Sequence, residues 1–133
     1  MLRYLSAMKL LQDTGRSGYT ILSCADDHLK INDRLVRVSC IVRAESLVEW
    51  PPLTLDELSC DHVELLAEGR PEVVLLGVGG RLRFPSPELM RPLIDRGIGY
   101  EVMDTAAACR TYNLLMGDGR NVVAALMLAA PAV

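Results

Sequence analysis

Lysine is scarce in this chain. Two lysines stand against twelve arginines, no Lys/Arg block occurs, and the net charge is -3 with a pI of about 5.3. Without a basic stripe, a dominant nucleic-acid or anionic-membrane role is not expected. Long hydrophobic runs are missing too. Half the residues are hydrophobic, yet the longest run, 122–133, has twelve residues and includes Pro131, short of the roughly 20 that a membrane span needs. Residues 1–11 carry Arg3 and Lys9 among apolar residues but have no long apolar stretch and no small-residue cleavage site. They read as a frayed or loosely docked amphipathic arm, with a transit peptide as the lesser reading. The four cysteines, Cys24, Cys40, Cys60 and Cys109, form no C-x-x-C pair, and neither Cys60 with His62 nor His28 matches a zinc-ligand spacing. A reduced, cytoplasmic protein with no structural metal is expected.

What is present is a series of secondary-structure signals sized for one domain. The expected division is a flexible arm over 1–14 and a single α/β domain over 15–133. After a polar break at 15–18, Tyr19 to Cys24 reads as a strand, Ala25-Asp26-Asp27 as a turn, His28 to Ile31 as a short extended piece and Asn32-Asp33 as a second turn. From Arg34 to Arg43, RLVRVSCIVR alternates and places Val36, Val38, Cys40 and Val42 on one apolar face, which predicts a single half-buried strand. These pieces should form an antiparallel hairpin or meander, a layer of its own.

Trp50-Pro51-Pro52 marks the passage between layers, since paired prolines cannot sit in a central strand. Trp50, the only tryptophan, is expected to plug the seam between layers rather than face a ligand. Thr54-Leu55-Asp56-Glu57 matches a capping box and predicts a helix to about Glu68, with Gly69 beyond its end. Val73 to Leu76 is a fully apolar strand that runs into Gly77-Val78-Gly79-Gly80. Ser86 and Pro87 open a helix that ends near Arg96-Gly97. Ile98 to Met103 and Asn121 to Leu128 read as strands buried on both faces. Between them, Ala106 to Met116 is helical, capped by Asp104 or Thr105 and left through Gly117 and Gly119.

If strands 73–76 and 98–103 are parallel neighbours, as a right-handed crossover implies, their carboxyl ends bring Gly77, Gly79 and Gly80 beside Asp104 and Thr105. Open α/β sheets hold ligands there. Bare backbone amides and a helix start would suit a small anion or a carbonyl, although glycines that end a strand also read as plain turn geometry. GVGG has neither the G-x-G-x-x-G order nor a Walker Lys-Ser/Thr, so no dinucleotide or nucleotide cofactor is expected. Along the helix, Thr105, Cys109, Tyr112 and Met116 share one face. Cys109 is a weak candidate nucleophile with Asp104 beside it. The competing reading is a packed small residue, because Cys109 lies a full turn into the helix and no histidine is near it in sequence. Asp104 is most simply an N-cap. Asn113 in mid-helix predicts a specific hydrogen-bond duty, to neighbouring backbone or to a ligand.

The run EVMDTAAACRTYNLLMGDGRNVVAALML, with PEVVLLGVGG upstream and, more loosely, GYTIL, LKIN to IVRAESLVEW and TLDELS, resembles the signature of an uncharacterised domain family over about residues 15–128. That family includes the alpha-subcomplex assembly factor of mitochondrial complex I (NADH:ubiquinone oxidoreductase) and many small bacterial and archaeal proteins. The resemblance implies a three-layer α/β domain around a central mixed sheet flanked by helices, with extra β structure on one side. Its motif positions here are Gly77, Gly79, Asp104, Thr105, Cys109, Thr111, Tyr112, Asn113 and Arg120. Asp118 stands where the family usually has Glu, and GVGG where it has a Gly-Thr-Gly type turn. Simple winding makes the last strand parallel; the family's mixed sheet suggests antiparallel, which would bring Arg120 to the rim with Asp104 and the glycines.

The expectation from residues and resemblance together is a non-catalytic assembly or maturation module. It would bind another protein and have a small polar pocket built from Gly77, Gly79, Gly80, Asp104, Thr105, Cys109, Tyr112, Asn113 and Arg120. A sensor or enzyme using Cys109 and Asp104 is the alternative. The absence of an acid/base set, with two distant histidines and no paired carboxylates at a recognisable spacing, favours the first.

Overall fold

The computed structural model describes residues 18–131; the expected arm over 1–14 lies outside them. Eight strands form two sheets. A three-stranded antiparallel sheet contains β1 (Ile21–Cys24), β2 (Leu29–Ile31) and β3 (Arg34–Val36). A five-stranded mixed sheet has the order β5 (Leu47–Glu49), β4 (Cys40–Val42), β8 (Val122–Met127), β6 (Val73–Val78), β7 (Gly99–Met103).

The run from Arg34 to Arg43, expected as one strand, is divided between the two sheets. It breaks at Arg37 to Ser39, and β3 pairs with β2 while β4 pairs with β8 and β5. Alternation reports which side of a strand is apolar, not which sheet it joins, so a register that passes unbroken through two sheets looks like one strand.

The mixed sheet is buried on both faces. Val74, Leu76 and Val78 of β6 and Val123, Ala125 and Met127 of β8 face one helical layer, with Trp50 packed among them. Leu75 and Val122, Ala124 and Leu126 face the other side, which is covered by the small sheet and by α3 (Thr105–Gly117). The result is a three-layer α/β domain. Trp50 is fully enclosed at the seam, and its indole N–H donates to the His62 carbonyl at 3.2 Å, satisfying the one polar group the ring carries.

Parallel pairing of β8 with β6 settles the direction of the last strand: the sheet is mixed because β4 runs antiparallel to both its neighbours, β8 and β5. The chain passes from β6 to β7 through α2 (Arg91–Ile94) on one face and returns from β7 to β8 through α3 on the other. Right-handed crossovers require opposite faces when the direction of travel across the sheet reverses. β7 is an edge strand with only partial burial, so the expectation that it is covered on both faces does not hold. Exposed Glu101 was the residue that marked it.

The helix expected over 54–68 is in three pieces: a 3-10 turn at Leu55–Glu57, α1 (Cys60–Glu64), and another 3-10 turn at Leu65–Ala67. The capping box belongs to Ser59 and His62. Ser59 Oγ accepts from the His62 amide at 3.4 Å, and His62 Nδ1 accepts from the Ser59 amide at 3.1 Å. Glu57 instead accepts from the Leu53 amide. An imidazole nitrogen here takes the part of Glu in the usual box, so the S/T-x-x-E pattern at Thr54 does not mark the start of α1. The 87–96 helix is likewise a 3-10 turn (Pro87–Met90) running into α2, and Ser86 makes no side-chain cap bond. Gly97 and Gly119 hold positive φ at +69° and +80°. Gly117 does not; it is the last residue of α3.

Candidate functional site

The loop after β6 departs toward one face and the loop after β7 toward the other, so the carboxyl ends of these two strands form the place where an open sheet would leave a crevice. In this chain the crevice is sealed. The Thr105 amide donates to the Gly79 carbonyl at 2.9 Å, the Gly79 amide donates to Thr105 Oγ1 at 2.8 Å, and that hydroxyl donates to the Met127 carbonyl at 2.5 Å. One buried side chain thereby ties β6, α3 and β8 together. Gly77 lies inside β6, not in a turn, and is required there by close approach: a Cβ would sit 3.1 Å from Thr105 Cα, Thr105 Oγ1 and Leu126 Cδ2. Gly79 supplies a φ of +101°, a conformation that side chains resist. Asp104 is the N-cap, its carboxylate accepting from the Ala107 amide at 2.8 Å. An acidic side chain of the chain itself thus occupies the helix start where an external anion would bind.

The other expected pocket residues are engaged elsewhere. Tyr112 is enclosed in the core beneath the small sheet, and its hydroxyl has no hydrogen-bond partner among the described residues. Burial pushes its pKa up. Asn113 clamps the small sheet to α3 at two points, Nδ2 donating to the Ile21 carbonyl at 2.7 Å and Oδ1 accepting from the Ile21 amide at 2.9 Å. A side-chain amide here takes the place of a neighbouring strand for β1. Cys109 is buried, and desolvation, with the Cys24 thiol beside it, raises its pKa well above the ordinary thiol range. That is the opposite of what a nucleophile needs. A cavity of about 320 Å³ does lie between β1 and α3, lined by Cys24, Ala106, Cys109, Arg110 and Asn113. Arg120 is not at this rim. It pairs with Glu72 at 2.6 Å, at the opposite end of the sheet where β6 and β8 begin.

Sequence reasoning missed the open side of the same rim. A cavity of about 420 Å³ is lined by Leu53, Thr54 and Leu55, by Val78, Gly79, Gly80, Arg81 and Arg83, and by Leu128, Ala129 and Pro131. Of the expected pocket residues, only Gly79 and Gly80 reach it. Among the described residues its charged lining consists of two arginines and no carboxylate. Arg83 reaches Asp56 at 2.9 Å in an exposed pair. The available signal was RLRF itself, alternating arginine with large apolar residues in a segment bounded by glycines and Pro85.

A family model described as "Protein of unknown function (DUF498/DUF598)" matches residues 21–127. The chain belongs to this family. Among its curated relatives is the Danio rerio protein named NADH dehydrogenase [ubiquinone] 1 alpha subcomplex assembly factor 3, 31% identical over 124 residues, which are 92% of this chain and 71% of that one. Another is a Francisella tularensis protein named 13 kDa major membrane protein, 31% identical over 68 residues, 51% of this chain and 55% of that one. A crystal structure of a Bordetella parapertussis protein superposes with a TM-score of 0.81 at 33% identity, covering 86% of this chain and 98% of that one. A solution structure from Bordetella pertussis, described as an Mth938-like domain, gives a TM-score of 0.76 at 30% identity, with coverages of 94% and 95%. Both solved structures thus share the fold of this chain. Among the described residues, no helix is long and apolar enough to cross a membrane, and no group of three or more His, Cys, Asp or Glu is placed to hold a metal.

Proposed function

We propose that this chain is a non-catalytic, cytoplasmic module that binds another protein during assembly or maturation of a larger complex, with a small polar pocket at the carboxyl ends of β6 and β8. The observation that carries this reading is the relative named as an assembly factor, whose match extends over 92% of this chain. The internal engagement of the chemically suggestive residues supports it. Thr105, Asp104 and Asn113 make their hydrogen bonds to the protein's own backbone, leaving little with which to act on a substrate.

Tagged full-length chain recovered from its native host under gentle conditions should bring down a stoichiometric protein partner that cross-links to it. Repeated recovery of the chain alone would overturn the reading. The rival, a sensor or enzyme using Cys109 and Asp104, rests on the cavity between β1 and α3. It requires Cys109 to react with iodoacetamide at neutral pH faster than free cysteine; labelling only after unfolding removes it.

A further inference from the structure

The protein-binding reading leaves open which surface receives the partner. The single phenylalanine of the chain, Phe84, is 70% exposed, and Leu82 two residues before it is 50% exposed. Burial of a phenylalanine ring is among the larger gains a core offers, and here the ring and a neighbouring leucine both forgo it. Between and before these two residues stand Arg83 and Arg81, both lining the open cavity. Alternation along 81–84 thus directs two cations to the cavity and leaves two large apolar side chains outside it. Among the described residues Arg81 has no ion pair, and the Thr54 hydroxyl that also lines the cavity makes no cap bond. No carboxylate among the described residues lines the cavity, in a chain whose net charge is -3.

We propose that the cavity and the 81–84 segment form one docking surface, and that its occupant is a segment of a partner protein carrying a carboxylate beside a large apolar side chain. The proposal rests on the protein-binding reading. Arg81 receives the carboxylate, with the Thr54 hydroxyl as a further donor and Arg83, which shares its charge with Asp56, beside it; an Arg fork suits that geometry. Leu53, Leu55 and Leu128 wall the apolar part of the cavity. Phe84 and Leu82 cover the adjoining part of the partner, in the mixture of aromatic and arginine side chains that concentrates binding energy at interfaces. A small carboxylate would fill the cavity and leave Leu82 and Phe84 uncovered, whereas a polypeptide segment covers both.

The test uses the full chain, labelled with 15N and titrated with acetylated, amidated octapeptides that combine Asp or Glu with Leu or Phe in varied order. The same peptides with Asn and Gln, and hexanoate alone, are titrated in parallel. The expected result is saturable shifts of Gly79, Gly80 and Arg81 amides with the acidic peptides, weakened about fivefold or more by Arg81→Ala, by Phe84→Ser and by raising salt from about 50 to about 500 mM. Because both substituted side chains are exposed, an unchanged Tm verifies that the variants are folded. No shifts at these residues with any acidic peptide, equal shifts with the neutral peptides, or the same saturation with hexanoate alone would each overturn the proposal. Recovery of partner from the native host by wild type and by the Phe84→Ser, Arg81→Ala double variant separates the two readings. Equal recovery by both overturns this surface and leaves the assembly role standing. Recovery by neither overturns the assembly role, and the peptide shifts alone then decide the surface.

Discussion

The rim at the carboxyl ends of the central strands has two sides with opposite characters. On the α3 side, Thr105 bonds to Gly79 and Met127, Asp104 caps its own helix, and Gly77 permits contact close enough to exclude a Cβ. On the other side, the segments around Thr54, Gly80, Arg83 and Leu128 enclose an open cavity whose charged lining, among the described residues, is only arginine. Motif-like residues at a strand end can therefore be there to close a crevice. A side chain that can donate, accept and pack is as useful for joining three backbone segments as for holding a ligand. The accessible site is built from glycine backbone and ordinary arginines, which carry no signature.

The closed side depends most on Thr105: Thr105→Val keeps the shape but strands the Gly79 amide and weakens the hold on Met127. A loss of about 2–4 kcal/mol is expected, because buried donors left without partners cost more than the bond itself gained. Urea unfolding of Thr105→Val beside Thr105→Ser measures it, and a Ser variant no better than Val would show that packing, not the hydroxyl, matters.

Alkaline pH probes the same closed side. Burial raises the Cys40 thiol to about 12 and pushes the Cys109 thiol up as well. Because the folded state holds these protons more tightly, the stability they contribute is complete below the ordinary thiol range of about 8.5. It is lost as pH rises beyond that, by roughly 1.4 kcal/mol per pH unit for each thiol until the folded pKa is reached. Urea midpoints between about pH 8 and 10 should fall accordingly, and Cys40→Ala with Cys109→Ala should flatten the slope.

Asn113→Ala removes both bonds to Ile21 and should cost about 1–2 kcal/mol. Its signature is local: faster hydrogen exchange at the Ile21 amide with α3 amides unchanged. Uniform acceleration throughout the chain would mean that the small sheet is not a separable layer. The smallest effect sharpens the contrast. Arg81→Ala and Phe84→Ser on the open side should change stability by no more than about 0.5 kcal/mol, and a cost near that of Thr105→Val would show that the cavity is structural too.

Much of the architecture could be read from the chain because it is written locally. Asp104 as N-cap, the exit from α3 through Gly119, the turn at Gly97 and the apolar runs of β6 and β8 each depend on a few neighbouring residues. The neighbourhood of Gly79 and Thr105 was legible as well, since parallel strands deliver their ends to one rim. The role of each residue there was not. Asn113 announced a hydrogen bond without naming Ile21, which lies 92 residues away. Arg120 was within reach of the rim only if β8 ran antiparallel, and it pairs with Glu72 at the other end.

The chain by itself determined the order of elements, the caps whose donors lie within one turn, and the apolar strands that must be covered on both faces. Tertiary structure alone decided that residues 34–43 serve two sheets, that β7 is an edge, and which side of the rim is sealed. Those outcomes depend on contacts between segments far apart in sequence, where a single hydroxyl or amide can meet several backbone groups and local pattern carries no record of which one it meets.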